Sequence, residues 1–458
     1  MIKINRDARY IAIEILCGWE ESRLPIDQLM EQSISNMNLA DPRDRQLIMS
    51  LVYGVLRWRG HLDWVVEKFS KHPLSKMKSR TLQALRIGIF QLLFLDRVPA
   101  SAAINETVKA LKEMNQPKWL TGFANGLLRT VSRQQETIPD PRDKKKAGSL
   151  PEPARLSHPD WLIKRWLKRY GREVTESICQ QNNLPASLSL RTNTSLISRE
   201  ALLERLGQAN IRAEAGKFGL DAICLDGYQG PITKIPGYID GFFQVQDEAA
   251  QLVSLLLSPL QPGKSYLDGC AGLGGKTSHL AQLLPDNSQL FAAEPHIGRI
   301  KKLKENLARL RLGKPVTIVE DEVAVLLPDM KGKFNGILID APCSGLGVIR
   351  RHPDIRWNRK PADLLRYQAT QLSLLASAVK LLAPGGILVY ATCSTEPEEN
   401  DEVIDSFLTN NHEFQVLNCN DTLPETASMF VDQNGFFRTL PGQHDMDGFF
   451  AAKLQKSK

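Results

Sequence analysis

The stretch SYLDGCAGLGGKT, residues 265–277, decides the fold: a β-like run ends in a glycine-rich turn, and the turn opens a helix. Similar units follow. After QLFAAE comes a helix through IGRIKKLKENLARLRLG, then VTIVED and FNGILIDAP supply further strands, and a helix near 361–382 leads into GILVYATC. Such alternation predicts right-handed βαβ units in a doubly wound, Rossmann-like α/β sheet. The tail segments FQVLNC and DGFFAAKLQK predict two more strands, as an antiparallel pair at one edge.

This alternating region, 241–458, is preceded by three others. Residues 160–240 mix helix signals (DWLIKRWLKRYG, SREALLERLGQANI) with β-like runs (SLSLRTN, AICLDGY) and predict a small α+β module. Segment 136–159, ETIPDPRDKKKAGSLPEPARLSHP, is rich in proline and charge and lacks periodicity; it reads as a linker whose order is left open. Residues 1–135 read as an all-α domain. Asp41 and Pro42 serve as N-cap and first-turn proline before RDRQLIMSLVYGVLRW, and Leu82, Leu85, Ile89 and Leu92 mark an apolar face at helical spacing.

At 458 residues and 42% hydrophobic, the chain can bury two or three ordinary globular cores. Its longest apolar runs, such as IGIFQLLFL at 87–95, fall short of the ~20 residues a membrane span needs. Asp7 and Glu14 interrupt the N-terminus where a signal peptide would be apolar, so a cytoplasmic protein with no membrane partner is expected. The seven cysteines, at 17, 179, 224, 270, 343, 393 and 419, form no CxxC pair, which argues against a disulfide framework and a zinc site; no metal is expected. Charge is unevenly placed. Residues 1–150 hold 24 Lys and Arg against 16 Asp and Glu, a surplus of 8, while the remainder holds 34 against 35. A basic N-terminal third suits an electrostatic grip on a polyanion.

The glycine turn invites two phosphate readings, and both weaken. A P-loop needs glycine where Cys270 stands, and G-x-G-x-x-G fails because Gly272 and Gly274 are followed by Thr277. Instead Asp268 precedes the turn and Glu294 closes the second strand, 26 residues on. A carboxylate there accepts hydrogen bonds from ribose hydroxyls but repels a pyrophosphate. The pair suits a nucleoside without phosphates, and S-adenosylmethionine is the common one. The plainer reading makes the glycines a turn and Glu294 a helix cap.

Two further strands end in DAPCSGLG (340–347) and ATCST (391–395). In a doubly wound sheet these ends face the crevice of the glycine loop, which would gather Asp340, Cys343 and Cys393. Thr395 and Glu398 read as a capping box with Pro397 in the first turn, predicting a helix just after Cys393 whose positive end favours a thiolate. A strand-end cysteine is otherwise a small buried residue. Thiolate, acid and sulfonium together fit methylation of a pyrimidine at C5. Addition of the thiolate to C6 makes C5 electron-rich, a carboxyl near N3 stabilises the developing charge, and a second thiol has a place in resolving the adduct.

DGCAGLGGKT, DAPCSGLG with its continuation VIRRHPDIRW, and VYATCSTEPEEN resemble the motifs of the RNA cytosine-5 methyltransferases of the Sun/NOL/NOP family. LVYGVLRWRGHLDWVVEKF resembles the NusB-type RNA-binding domain that bacterial 16S ribosomal RNA enzymes of this family carry ahead of a class I methyltransferase module. The resemblance implies transfer of a methyl group from S-adenosylmethionine to a cytosine of 16S rRNA, unassembled or partly assembled, by a monomer. It makes Cys393 the nucleophile and Cys343 the thiol that assists release, with Asp340 at the methionine end or the cytosine. It places the cofactor on Cys270, Ala271, Gly272, Leu273, Gly274, Gly275 and Lys276, with Glu294 on the ribose and Asp321 near the adenine; Glu320 leaves the last assignment open by one position. The family loop usually reads AAPGGK, where this chain has Gly272 and Leu273, and the family acid at 294 is usually Asp. Transfer RNA as substrate is a narrower alternative, and an inactive RNA-binding assembly or antitermination factor is a different class. Arg350, Arg351, His352, Arg356 and Trp357 read either as RNA contacts or as an exposed basic loop, and Arg57, Trp58 and Arg59 as a stacking platform or a helix face with one core tryptophan.

Overall fold

The computed structural model describes residues 7–36 and 42–458. Their contacts divide into two units, one of residues up to Pro185 together with Ile349–Arg359, the other of Ala186–Val348 and Lys360–Lys458.

The first unit is helical: α1 (Ala8–Ser22), α2 (Ile26–Asn36), α3 (Pro42–Phe69), α4 (Ser79–Phe94), α5 (Ala100–Glu113) and α6 (Lys118–Arg133). The expected cap at Asp41 lies outside the described residues. The apolar face at Leu82, Leu85, Ile89 and Leu92 is buried, but so are Thr81, Gln83, Arg86 and Gln91 on the other sides of α4. This helix is therefore central, with no solvent face. Arg86 tolerates burial because Nε and Nη2 donate to Asp63 at 2.7 and 2.9 Å and Nη1 donates to Glu20 at 3.2 Å.

Segment 136–159 carries the short helices α7 (Lys144–Ala147) and α8 (Glu152–Leu156). Ile138, Ala147, Leu150, Ala154 and Leu156 are buried, so apolar residues between the prolines anchor it to the unit. Helix α9 (Asp160–Asn182) runs 23 residues, well beyond the DWLIKRWLKRYG signal, and lies in the first unit. Its path breaks at Gly171, where φ is 75°.

The second unit opens with an antiparallel sheet of β1 (Leu188–Thr192), β2 (Ala213–Ala215), β3 (Ala222–Leu225) and β4 (Phe243–Val245) in the order β2-β3-β1-β4, with α10 (Arg199–Gln208) packed on it. After α11 (Glu248–Leu255) come β5 (Ser265–Asp268), α12 (Gly275–Leu283), β6 (Gln289–Ala293), α13 (Ile297–Arg309), β7 (Val316–Val319), α14 (Leu327–Met330) and β8 (Phe334–Asp340). The short α15 (Ile355–Asn358) belongs to the first unit. Then follow α16 (Pro361–Leu381), β9 (Leu382–Thr392), α17 (Asp401–Asn410), β10 (Phe414–Leu417), β11 (Phe437–Thr439) and β12 (Phe449–Lys456).

The large sheet runs β10-β12-β9-β8-β5-β6-β7, with β11 on β12. Strands β5 to β9 are parallel, and β12 runs antiparallel between β9 and β10. The order reverses direction at β5, so the crevice between β5 and β8 is the switch point of a doubly wound sheet. Of the two tail strands expected at the edge, β10 takes the edge and β12 is covered on both sides; β11, at FRT, had no alternating signal to announce it. Among the described residues no helix is long and apolar enough to cross a membrane.

Candidate active site

Three strand ends meet the switch point. In the parallel register Asp268 pairs with Leu338 and Asp340 with Ala391, so the loops after β5, β8 and β9 leave the sheet at neighbouring positions. Cys343 and Cys393 follow the last two, and their Sγ atoms lie 3.2 Å apart. That distance places one S–H between them. The hydrogen bond to Cys393, followed by burial, pushes the Cys343 thiol well above the ordinary range, and either sulfur can be the donor. The backbone ties the same loops together: Ala341 N–H donates to Ala391 O at 2.8 Å and Gly347 N–H to Cys393 O at 2.9 Å.

Lys276 points from the first turn of α12 to Asp340, Nζ to Oδ2 2.7 Å, and its ammonium lies 5.0 Å from the centre of the Phe449 ring. Burial alone would lower its affinity for the proton; Asp340 outweighs burial and raises it, with the nearby Cys393 adding to the effect. A fixed cation thus stands beside the thiol pair. The helix expected just after Cys393 does not start there. Thr395 donates to Glu396 at 3.0 Å instead of capping, a 3₁₀ turn spans Pro397–Glu399, and α17 starts at Asp401. The physical reason is inward-facing side chains: Asn400 accepts from Thr392 Oγ1 at 2.6 Å and donates to Ser394 O at 3.0 Å, which holds the chain out of helix. Positive charge near Cys393 comes from Lys276, with no helix end to supply it.

The glycine loop curves through Gly272 and Gly274 at φ 57° and 88°, a path that suits residues without a side chain. A Cβ at Gly274 would lie 2.6 Å from Leu303, so the loop also packs closely on α13. Cys270 packs partly buried against one core cluster of the unit and Ala271 belongs to another, while Leu273 is exposed and Gly275 opens α12. Burial pushes the Asp268 carboxyl up to about 6, although Thr277 Oγ1 donates to it at 2.7 Å. Glu294 accepts from Gly272 N–H at 3.0 Å through one oxygen and from His296 N–H at 2.9 Å through the other. A carboxylate has about four acceptor positions, so two remain for ribose hydroxyls. Beyond β7, Glu320 binds Lys304 at 2.5 Å, whereas Asp321 is exposed and accepts the Glu322 N–H at 2.7 Å. Asp321 is the acid with more acceptor capacity to offer. The free acceptor positions of Glu294 and Asp321 fit a nucleoside with hydroxyls and ring N–H groups to donate. Among the described residues no group of three or more His, Cys, Asp or Glu is placed to hold a metal ion.

Sequence reasoning missed the supports. Arg191, fully buried in β1, donates to Gly275 O at 2.9 Å and Ser278 Oγ at 2.8 Å, so the small sheet holds the first turn of α12. An arginine within the strand run SLSLRTN was the available signal. Glu399, behind both cysteine loops, lies next to the Thr395–Glu398 pair and has no sequence signal of its own.

The basic loop is not the fully exposed segment that its charge suggests: Arg351 and His352 are half-buried. Arg350 and Arg356 are buried within the first unit, where Arg356 donates to Ser157 O at 3.0 Å, Asn183 Oδ1 at 2.6 Å and Asn182 O at 2.9 Å. Trp357 Nε1 donates to Leu56 O at 2.6 Å, and His352 pairs with Asp27 at 2.7 Å. Trp58 is buried and stacked on Phe94 with ring centres 5.2 Å apart, so the core-tryptophan reading holds there. The exposed tryptophan is Trp119 on α6, at 69% exposure.

Comparison with known proteins places this geometry among its relatives. Residues 254–455 match the 16S rRNA methyltransferase RsmB/F family, residues 6–133 the NusB family and residues 158–232 the RsmF/B-like ferredoxin-like domain. A probable ribosomal RNA small subunit methyltransferase B of Synechocystis sp. is 35% identical over 98% of this chain and 99% of its own. The ribosomal RNA small subunit methyltransferase B of Escherichia coli is 35% identical over 94% and 96%. Among solved structures, a methyltransferase homolog from Pyrococcus horikoshii superposes with a TM-score of 0.56 at 29% identity, covering 67% of this chain and 97% of that one.

Proposed function

The chain belongs to the 16S rRNA methyltransferase RsmB/F family, and from that membership we propose that it methylates C5 of a cytosine in 16S rRNA through a covalent adduct on Cys393. The observation that carries the reading is the thiol pair, 3.2 Å apart and beside the Lys276–Asp340 ion pair. A binding or antitermination factor has no use for two facing thiols and a buried cation at one strand edge.

Cys393 adds to C6 as a thiolate, with Cys343 donating its S–H to it beforehand and Lys276 stabilising the anion. The Lys276–Asp340 pair lends a proton to N3, so the electrons displaced from the C5–C6 double bond reside at C5. S-adenosylmethionine, when bound, would supply its sulfonium methyl group to the electron-rich C5 and leave as S-adenosylhomocysteine, which keeps the S–C bonding pair. With Cys393 now a thioether, Cys343 loses the partner that held its proton, passes that proton to solvent and removes the one left on C5. The C5–H electrons rebuild the double bond, the C6–S bond breaks to return the Cys393 thiolate, and N3 gives its proton back. One proton is released per turn, which balances the exchange of hydrogen for methyl. Within the cofactor site, Glu294 would take the ribose, Asp321 would face the adenine, and the backbone from Cys270 to Lys276 would cradle the methionine portion. The free monomer and unassembled or partly assembled 16S rRNA are the states in which we expect the reaction.

The test is tritiated methyl transfer to 16S RNA from cells lacking the enzyme. Label in 5-methylcytosine is expected; label elsewhere, or none, contradicts the reading.

A further inference from the structure

Behind the two thiols sits a carboxylate with no part in the chemistry just described. Glu399 is buried. One of its oxygens accepts Ser344 N–H at 2.6 Å; the other accepts Ser344 Oγ and Ser394 Oγ, each at 2.5 Å, and the two hydroxyls are 3.3 Å from one another. Ser344 directly follows Cys343 and Ser394 directly follows Cys393. Glu399 is itself held, with Gln371 Nε2 3.4 Å from its carboxylate and Tyr390 Oη donating to its carbonyl at 2.6 Å.

These partners are all neutral. A carboxylate buried among neutral donors is costly unless its lone pairs are filled, and packing alone would be served by an apolar side chain. Here the filled lone pairs are the residues after the two cysteines. The two thiols must serve C6 and C5, adjacent atoms of one ring, so their separation and direction have narrow tolerance.

We propose that Glu399 is a positioning residue whose carboxylate clamps Ser344 to Ser394 and thereby sets the spacing and aim of Cys343 and Cys393 at one pyrimidine ring. This rests on the two-thiol reading above. It also assigns Ser344 and Ser394 their role, as the two handles the carboxylate grips. Burial raises the Glu399 proton affinity, and the three donors from Ser344 and Ser394 oppose that rise, as expected of a group whose hydrogen bonds favour the charged form.

The test uses the full chain and 16S RNA, with 5-fluorocytidine-substituted RNA to trap the adduct. Because fluorine cannot leave C5 as a proton does, the wild type should accumulate protein covalently bound to RNA. Glu399→Ala should lower kcat ~100-fold while KM for RNA stays within about threefold, because a displacement of ~1 Å between reacting groups costs that much. Glu399→Gln keeps one acceptor oxygen and should recover ~10-fold of the loss. S-adenosylmethionine affinity by calorimetry should be unchanged in both. If Glu399→Ala does not fold, the Ser344→Ala/Ser394→Ala pair, which leaves the carboxylate but removes the hydroxyls, should lower kcat ~10-fold with KM held. An unchanged kcat, a loss carried by KM, or a Gln variant no better than Ala overturns the proposal. A wild type that traps no adduct overturns the two-thiol reading and this proposal with it, whereas an adduct in the wild type with unaffected variants overturns this proposal alone.

Discussion

At the residue scale, the roles of the two cysteines follow from where one proton sits. Cys343 is held up by its hydrogen bond to Cys393 and by burial, either sulfur can be the donor, and the ammonium of Lys276 stands by the pair. Removing that cation should leave the anion less stable. Lys276→Met is expected to lower methyl transfer ~100-fold, the usual cost of losing one preorganised electrostatic partner. It should also slow Cys393 alkylation by iodoacetamide, because the attacking sulfur then lacks a neighbouring positive charge. An unchanged alkylation rate would contradict a role for Lys276 at the thiol. Gly347 offers a geometric check: a Cβ there would lie 2.0 Å from Gly448 O and 2.9 Å from Cys393 O, both backbone atoms. Gly347→Ala is therefore expected to displace the Cys343 loop and cost ~2 kcal/mol or more of stability, read from denaturant unfolding.

At the element scale, the segment Ile349–Arg359 shows how the same residues read differently in sequence and in space. RRHPDIRW looks like a solvated basic loop, yet Arg356 has no exposure and grips two carbonyls and an amide of the first unit. Arg356→Ala leaves those acceptors buried and unpaired, and should cost about 3–5 kcal/mol in thermal or denaturant unfolding. Arg356→Lys should restore little, since a single ammonium cannot match the planar fork. A loss under about 1 kcal/mol would show that water replaces the guanidinium. The strand–turn–helix at 265–277 was legible because hydrophobic period and glycine placement are local signals. So were the strand ends that carry Asp340, Cys343 and Cys393. The stop of α9 and the late start of α17 were not, because side chains distant in sequence decide them: buried Asn182 and Asn183 in one case, Asn400 turned inward in the other. Glu399 was equally hidden, since nothing in EPEEN distinguishes a solvated acid from one that grips residues 344 and 394.

At the scale of the whole molecule, the two units should differ in their response to acid, the first losing stability the sooner. In the first, burial keeps His61 and His158 neutral, His61 down at about 4 and His158 well below its usual value. The unfolded chain binds those protons below pH ~6.5 and the native unit does not, so each histidine removes about 1.4 kcal/mol of stability per pH unit over that window. Glu20 and Asp140, which hydrogen bonds hold below their usual values against burial, add a further loss near pH 4; Asp354, raised by burial, opposes it. In the second unit burial raises Asp221, Asp268 and Glu399, which take protons earlier in the native state and so favour folding as pH falls, against His279 and His444. Hydrogen exchange between pH 7 and 4.5 should show α3, α4 and α9 losing protection before β5 and β8; the reverse order would contradict this assignment. The N-terminal charge surplus gives a separate expectation. Neutralising the exposed Lys76, Lys78 and Lys118 should weaken 16S RNA binding and reduce the slope of log affinity against log salt, by about 1 for each lysine that meets a phosphate.

The most direct measurement is denaturing electrophoresis and mass spectrometry of protein–RNA adducts formed with unmodified 16S RNA and S-adenosylmethionine, comparing Cys393→Ala with Cys343→Ala. The expectation is neither turnover nor adduct for Cys393→Ala, and a methylated adduct that accumulates without release for Cys343→Ala. An adduct retained by Cys393→Ala and lost in Cys343→Ala would contradict it, and would make Cys343 the nucleophile.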